Sequence, residues 1–404
     1  MSSFLHRYLE RYAANSAQVI VAPQPELGLI IVIPCQNEPN ILKPLHAILA
    51  CQKPPCAVEI IVVINAGSHD EVTILAQNNA SLRTIEQADL NQDHLQIHAI
   101  HVDNLAKKHA GVGLARKLGM DEAIRRFVFC GKKDGIIVSL DADCDVHGQY
   151  LVDIWQHFQE KQHKACVIPF QHDTQGMNTR HKQAIQLYEI DILYHVQGLK
   201  LAQYPHAFHT IGSCFAVSAH AYAAQGGMNR RQAGEDFYFL HKVADLGDVA
   251  TLRKACVYPS SRISFRVPFG TGQALQTWIQ DEHSTRMVTH PKVYQDLACL
   301  FSQLDLLFSQ EIVLPIRLEN FLANYGFREE ITDMRQRVSN TSTFKKRFLR
   351  WFSALRIRQY ITDCADHIPL EVAANELLSM SAETPVEGIE ALLIKYRHLS
   401  WGSL

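Results

Sequence analysis

Five short runs of apolar, largely β-branched residues, separated by stretches of helical periodicity, constrain this chain more than any other feature. They are LIIVIP (29–34), EIIVVIN (59–65), QIHAIHV (96–102), GIIVSLDAD (135–143) and KACVIPF (164–170). A strand exposed on one face alternates apolar and polar residues, whereas a strand covered on both faces reads as a continuous apolar run. The runs therefore predict a mostly parallel α/β sheet flanked by helices. The segments between them, such as EPNILKPLHAILAC and GVGLARKLGMDEAIRRF, repeat apolar residues every three or four positions, as helices with one buried stripe do. From about residue 275 the helical period continues without strand runs. At 404 residues the chain also exceeds the roughly 250–300 at which a single core stops growing. We expect an α/β domain over 1–272 and an all-helical domain over 273–404, with the cut after PFGTG.

Composition narrows the function. Lys plus Arg number 39 and Asp plus Glu 41, so no global field attracts nucleic acid, and none is expected as a partner. The ten cysteines are scattered, without CxxC or zinc spacing, as free thiols are in a reducing compartment. The N-terminal stretch MSSFLHRYLERYAANSAQ carries charge throughout and lacks the apolar block of a signal peptide. LGLIIVIP, the longest apolar run, is far short of the ~20 residues that span a bilayer. A cytoplasmic protein is expected, at most peripheral at the inner membrane surface.

The chemistry starts at VSLDADCDV (138–146), where an apolar strand ends in Asp141, Asp143 and Asp145. Carboxylates so close together repel unless a cation lies between them. In an open α/β sheet ligands sit beyond the carboxyl ends of the strands, so Asp141 and Asp143 are placed to meet a hard divalent ion and phosphate oxygens there. A helix-loop-helix calcium loop counted from Asp141 would need Gly and Glu where Val146 and Val152 stand, which excludes it. A phosphohydrolase of the haloacid dehalogenase type also has Asp-x-Asp after a strand. It normally uses the chain's first strand, with Thr or Val where Asp145 stands here. A solvated acidic turn is the third reading.

Other strand ends carry polar groups as well. Pro34, Asn37 and Glu38 follow the first run, and Asn65, Gly67, Ser68 and Asp70 the second; singly, each is ordinary turn chemistry. In GGMNRRQAGEDFYFLHKV, Glu235 and Asp236 open an amphipathic helix. The helix dipole alone favours acids there, and a general base is the functional alternative. His206 and His209, spaced by three on a loop, read as solvated rather than as a metal pair.

In chain order, IVIPCQNEP, NAGSHDE, LDADC and AGEDF, with GSCFAVSAHAYAAQGGM between the last two, resemble the serial motifs of family 2 glycosyltransferases. The resemblance covers about residues 28–272. It implies the GT-A fold, a Rossmann-like, mostly parallel sheet flanked by helices. It also implies a nucleoside-diphosphate sugar as donor and Mn or Mg held by Asp141 and Asp143. Asp236 then matches the base of inverting members, and Glu235 shapes the acceptor site. Pro34, Asn37, Glu38, Asn65, Gly67 and Ser68 match the part that holds base and ribose. Arg116 resembles a basic residue beside the nucleotide, although a surface helix charge is an equal reading. Asn65 and Ala66 stand where the family usually has an Asp pair, which leaves the nucleotide open. With no Gln-x-x-Arg-Trp after the Glu-Asp pair and no membrane channel, single-sugar transfer to a glycan, lipid-linked or small-molecule acceptor is implied, not polymer synthesis. A catalytically silent relative is the remaining alternative.

Two basic features lie outside these motifs. Arg262 and Arg266 follow the last strand and suit either a diphosphate clamp or structural ion pairs. FKKRFLRWFSALRIRQY (344–360) has six Lys or Arg and no acid, with Phe344, Phe348, Trp351, Phe352 and Leu355 on one helical face. That face is expected to pack within the C-terminal domain rather than lie on a membrane, the other use of such a helix.

Overall fold

The computed structural model describes residues 4–160, 163–262, 285–364 and 366–402. They form two compact units. The first holds the described residues up to Met177 and Thr210 to Arg262; the second holds Asn178–His209 and the described residues from 285 onward. The boundary expected near 272 and Arg266 both lie outside the described residues.

The first unit is built on a seven-stranded sheet. Strands β1 (Leu27–Cys35), β2 (Ala57–Gly67), β3 (Leu95–Leu105) and β4 (Ile136–Ser139) are parallel in the order β3-β2-β1-β4. Every residue of β1 and β2 is buried, as the unbroken apolar runs require. Three short strands extend the β4 side. They are β7 (Phe215–Ser218), antiparallel to β4, then β6 (Ala165–Val167), then β8 (Val249–Thr251). From β1 the chain steps outward to β2 and β3, then returns to β4 on the other side of β1. The order therefore reverses between β1 and β4, and the crevice beyond their carboxyl ends is where such a sheet binds ligands.

Two strands run further than their sequences suggest. Pro34 lies inside β1, opposite Val63, and not after it. Pairing with β4 stops at Val32–Ser139, so the missing proline N–H falls where only β2 remains alongside. Asn65 and Gly67 likewise lie inside β2, because its ladder with β3 continues to Gly67–Leu105.

Helix α4 (Val112–Phe129) positions the site and is buried along most of its length, charged residues included. Gly119 lets it approach the sheet: a Cβ there would lie 2.4 Å from Val32 Cγ1 and 2.9 Å from Val63 Cγ2. Its buried charges are met from the N-terminal segment, from Tyr222 and from Glu59 of β2. Asp121 accepts from the Tyr8 hydroxyl (2.6 Å), the Tyr222 hydroxyl (2.8 Å) and the Ala14 amide (2.8 Å). Glu122 accepts from the amides of Gln18 and Val19, and Arg126 forks onto Glu59. Buried polar groups satisfied this fully fix one arrangement of a helix.

The second unit is helical apart from a two-stranded ribbon, Met287–Thr289 with His367–Pro369. Its helix α6 (Thr179–Leu201) packs against helices Leu370–Met380 and Ile389–Trp401. The basic segment forms helices Thr341–Trp351 and Ala354–Asp363. Phe344, Phe348 and Phe352 are fully buried, so the aromatic face packs inside, while Leu355 is 38% exposed and leaves that face. His209 is 5% exposed, its ring 6.3 Å from that of Trp401, and is not the solvated loop histidine its spacing suggests. No helix among the described residues is long and apolar enough to cross a membrane.

Candidate active site

Beyond the ends of β1 and β4, two arginines each hold carboxylates from distant parts of the chain. Arg116, on the first turns of α4, is 2% exposed and therefore not a surface charge. It donates to Asp141 Oδ1 at 2.6 Å and to Glu235 Oε1. Glu235 and Asp236 open helix α8 (Glu235–Ala244), where the dipole favours acids, and Asp236 accepts from the Phe237 amide at 2.7 Å. Gly212 completes the wall. A Cβ on it would lie 2.9 and 3.0 Å from the two terminal nitrogens of Arg116 and 3.0 Å from Asp236 Oδ2. Its carbonyl accepts from the buried Ser139 hydroxyl at 2.7 Å, which pins it to the end of β4.

One guanidinium thus faces three carboxylates. Burial works against the Arg116 charge, but Asp141, Glu235 and Asp236 outweigh it and raise its pKa. Burial pushes Glu235 up to about 7, with Arg116 pulling the other way and Asp236 adding to the rise. Burial also raises Asp236, again against Arg116.

Arg262 makes the second connection. It donates from Nη1 to Glu38 Oε1 at 3.1 Å and from Nη2 to Glu38 Oε2, while Nη2 lies 3.1 Å from Asp143 Oδ2. Glu38 is 1% exposed and Asp143 27%. Of the two carboxylates of the Asp-x-Asp, then, Asp141 is held by Arg116 and Asp143 by Arg262. Asp145 lies in β5 (Asp145–Val146), paired with β9 (Val257–Tyr258), and accepts from its neighbour's amide.

The polar groups after β1 and β2 are tied together from helix α3 (Val72–Gln87). The fully buried Asn78 side chain accepts from the Asn37 amide at 2.8 Å and donates to the Asn65 carbonyl at 2.9 Å. Ser81 donates to the Glu38 carbonyl at 2.8 Å. Asp70 closes the next turn, accepting from the Gly67 amide and the Gln36 side chain, both at 2.7 Å. Ser68, exposed, donates its amide to the Leu105 carbonyl. Asn78 and Ser81 are absent from any reading of local motifs, and Gly212 enters only as the first residue of GSCFAVSAHAYAAQGGM, with no role of its own. Their partners lie 13 to 73 residues away, beyond any window of local spacing.

The donor set suits a hard cation. Asp141 and Asp143 are partly accessible carboxylates, the oxygen ligands that Mg or Mn prefers. Among the described residues no group of three or more His, Cys, Asp or Glu is arranged to hold a metal. A cation here would thus complete its shell with water and phosphate oxygens, as Mg commonly does. Burial raises the thiols of Cys144 and Cys214 well above their ordinary value, so neither offers a thiolate.

Part of this site lies in a segment that matches a known family. The family model described as "Glycosyl transferase family 2" matches residues 30–224, just under half of the chain, which run from β1 to α7 (Ala219–Ala224) and take in Asp141, Asp143 and Arg116. Among solved structures, S. aureus TarS 1-349 in complex with UDP-GlcNAc is similar at 12% identity and TM-score 0.42, covering 93% of this chain and 90% of that one. GalNAc-T7 with UDP, GalNAc and Mn2+ is similar at 13% identity and TM-score 0.37, covering 77% of this chain and 55% of that one. Likenesses this distant identify neither donor nor acceptor for this chain. No curated protein sequence matches it. Seated on the sheet that carries the Asp-x-Asp, residues 30–224 of this protein are matched as a glycosyltransferase domain of family 2.

Proposed function

We propose that this domain transfers a single sugar from a nucleoside-diphosphate sugar to an acceptor hydroxyl in one inverting displacement. The supporting observation is the gathering of Asp141, Glu235 and Asp236 around one buried guanidinium at the point where the strand order reverses. In this reading Asp236 takes the proton of the acceptor hydroxyl. The oxygen bonds to the anomeric carbon as the bond to the diphosphate breaks, and the electron pair departs with the nucleoside diphosphate. Its raised pKa makes Asp236 a stronger base than an ordinary carboxylate. Glu235, held by Arg116, orients the acceptor side. Asp141 and Asp143 hold a divalent cation, which when bound neutralises charge on the leaving group. Pro34, Asn37, Glu38, Asn65, Gly67 and Ser68 form the base and ribose side, with Asn78 behind them.

The catalytic domain reaches to about residue 272 in this proposal, and the acceptor is a glycan, a lipid-linked sugar or a small molecule. Since the aromatic face of the 341–351 helix is packed, peripheral membrane contact would rest on its exposed charges, such as Lys346 and Arg347, and weaken with salt.

Titration calorimetry of the full chain with nucleoside diphosphates, with and without MnCl2, tests the site. At least one diphosphate should bind in a cation-dependent manner, and Asp143→Asn should abolish that dependence. Cation-independent binding, or none, overturns the reading. An acid-labile phosphoenzyme lost in Asp141→Asn would point to the phosphohydrolase instead.

A further inference from the structure

The fork of Arg262 joins a carboxylate of the proposed base and ribose side to one of the two proposed cation ligands. Glu38, from the segment after β1, and Asp143, from the Asp-x-Asp after β4, both ion-pair with the same guanidinium. Glu38 is nearly sealed from solvent at 1% exposure, whereas Arg262 and Asp143 are 33% and 27% exposed. The Glu38 side of the pairing is bidentate and buried, the Asp143 side a single contact at 3.1 Å on an accessible oxygen. Geometry and dielectric both make the Asp143 contact the weaker of the two. A planar guanidinium anchored through one edge still has donors for a second anion.

We propose that Arg262 is a built-in counter-ion standing in the cation's place at Asp143, which turns from that carboxylate to the diphosphate when a cation-bound donor enters. Glu38 is its pivot. The inference rests on the donor-site reading above and adds a competition to it. In the empty enzyme Arg262 lowers the negative potential at Asp143 and opposes a lone cation. In the loaded enzyme it contributes a positive charge to the phosphate. Cation and diphosphate therefore bind together far better than either alone, and free metal does not occupy the site unproductively.

The two roles predict effects of opposite sign, which a merely structural ion pair does not. Calorimetry on the full chain uses MnCl2 alone, then inorganic pyrophosphate at saturating MnCl2. Arg262→Ala should bind Mn2+ alone roughly twofold to fivefold more tightly, the worth of one partly exposed ion pair. It should bind pyrophosphate about tenfold more weakly, the worth of one charge-assisted hydrogen bond. Arg262→Lys, which keeps the charge but not the fork, should fall between wild type and Ala in both titrations. It also serves if the Ala variant does not fold. Glu38→Gln, which removes the pivot's charge, should weaken pyrophosphate binding without tightening Mn2+. If both affinities fall together in Arg262→Ala, or Mn2+ affinity does not rise, the counter-ion role is wrong. If the wild-type chain binds no pyrophosphate with Mn2+, the donor-site reading itself has failed.

Discussion

Arg116 reaches Asp141 at 2.6 Å from a side chain that is 2% exposed, while Asp141 itself is 40% exposed. The buried end of this pair also holds Glu235, so one buried cation stabilises an interior acid as well as a partly exposed one. Removing it would leave Glu235 without a counter-ion, and breaking a buried pair this way costs about 3–5 kcal/mol. Arg116→Met should lower the urea-unfolding free energy by about 3 kcal/mol. Adding Glu235→Gln should recover much of that, because a neutral amide needs no counter-ion. A double variant no more stable than the single one would refute this account.

Asp236 is separated from that pair by its proposed role. Asp236→Asn keeps shape and neutralises the base, so transfer should fall by about 10²–10⁴ while cation-dependent diphosphate binding persists. Because burial raises the carboxyl, the acid limb of kcat/KM against pH should lie above the range of an ordinary aspartate. Activity then disappears as pH falls through that raised value, not lower. Equal loss of binding and turnover in the variant would remove Asp236 from the chemistry.

Gly212 offers a test of the site's tightness. A methyl group 2.9 Å from Arg116 Nη2 and 3.0 Å from Asp236 Oδ2 fits only if one of them moves. Misplacing reacting groups by about 1 Å costs on the order of 10²-fold in rate. Gly212→Ala should therefore lose kcat far more than thermal stability, with the melting point shifted by only a few degrees in a scanning experiment. A variant with wild-type kcat would show that Arg116 and Asp236 are not held against this wall.

How much of this was legible beforehand follows from the range of the forces involved. The strands β1 to β4 were readable because burial on both faces writes itself into consecutive residues, LIIVIP and EIIVVIN above all. β7 and β8, four and three residues long, were too short to stand out. The grouping of α6 with the C-terminal helices was hidden, since a helical period shows that a face is buried but not against what. Asp141, Glu235 and Asp236 were legible as local motifs; their convergence on Arg116 was not. The partners of Arg116 lie 25 and 119 residues away, and only the sheet order brings them together.

The second unit carries a titration independent of the site. His195, on α6, makes a 3.1 Å hydrogen bond with the Tyr294 hydroxyl, and burial, aided by Arg358, depresses its pKa to about 4. In the unfolded chain the same imidazole titrates near 6.5. Between those values the unfolded state binds more protons than the folded one, so stability rises with pH. The contribution is fully present above about 6.5 and is lost as pH falls toward 4. A shift of that size corresponds to about 3 kcal/mol at most, and less where the ring keeps some solvent access. His195→Gln can keep the bond to Tyr294 without a proton to gain. Urea midpoints at pH 7.5 and 4.5 should therefore differ less in His195→Gln than in the wild type, with the two proteins closest at pH 7.5 and the variant the more stable at pH 4.5. Other carboxylates titrate over the same range in both proteins, so the difference between them isolates the histidine. If the variant loses stability on acidification as steeply as the wild type, His195 is already protonated in the folded unit.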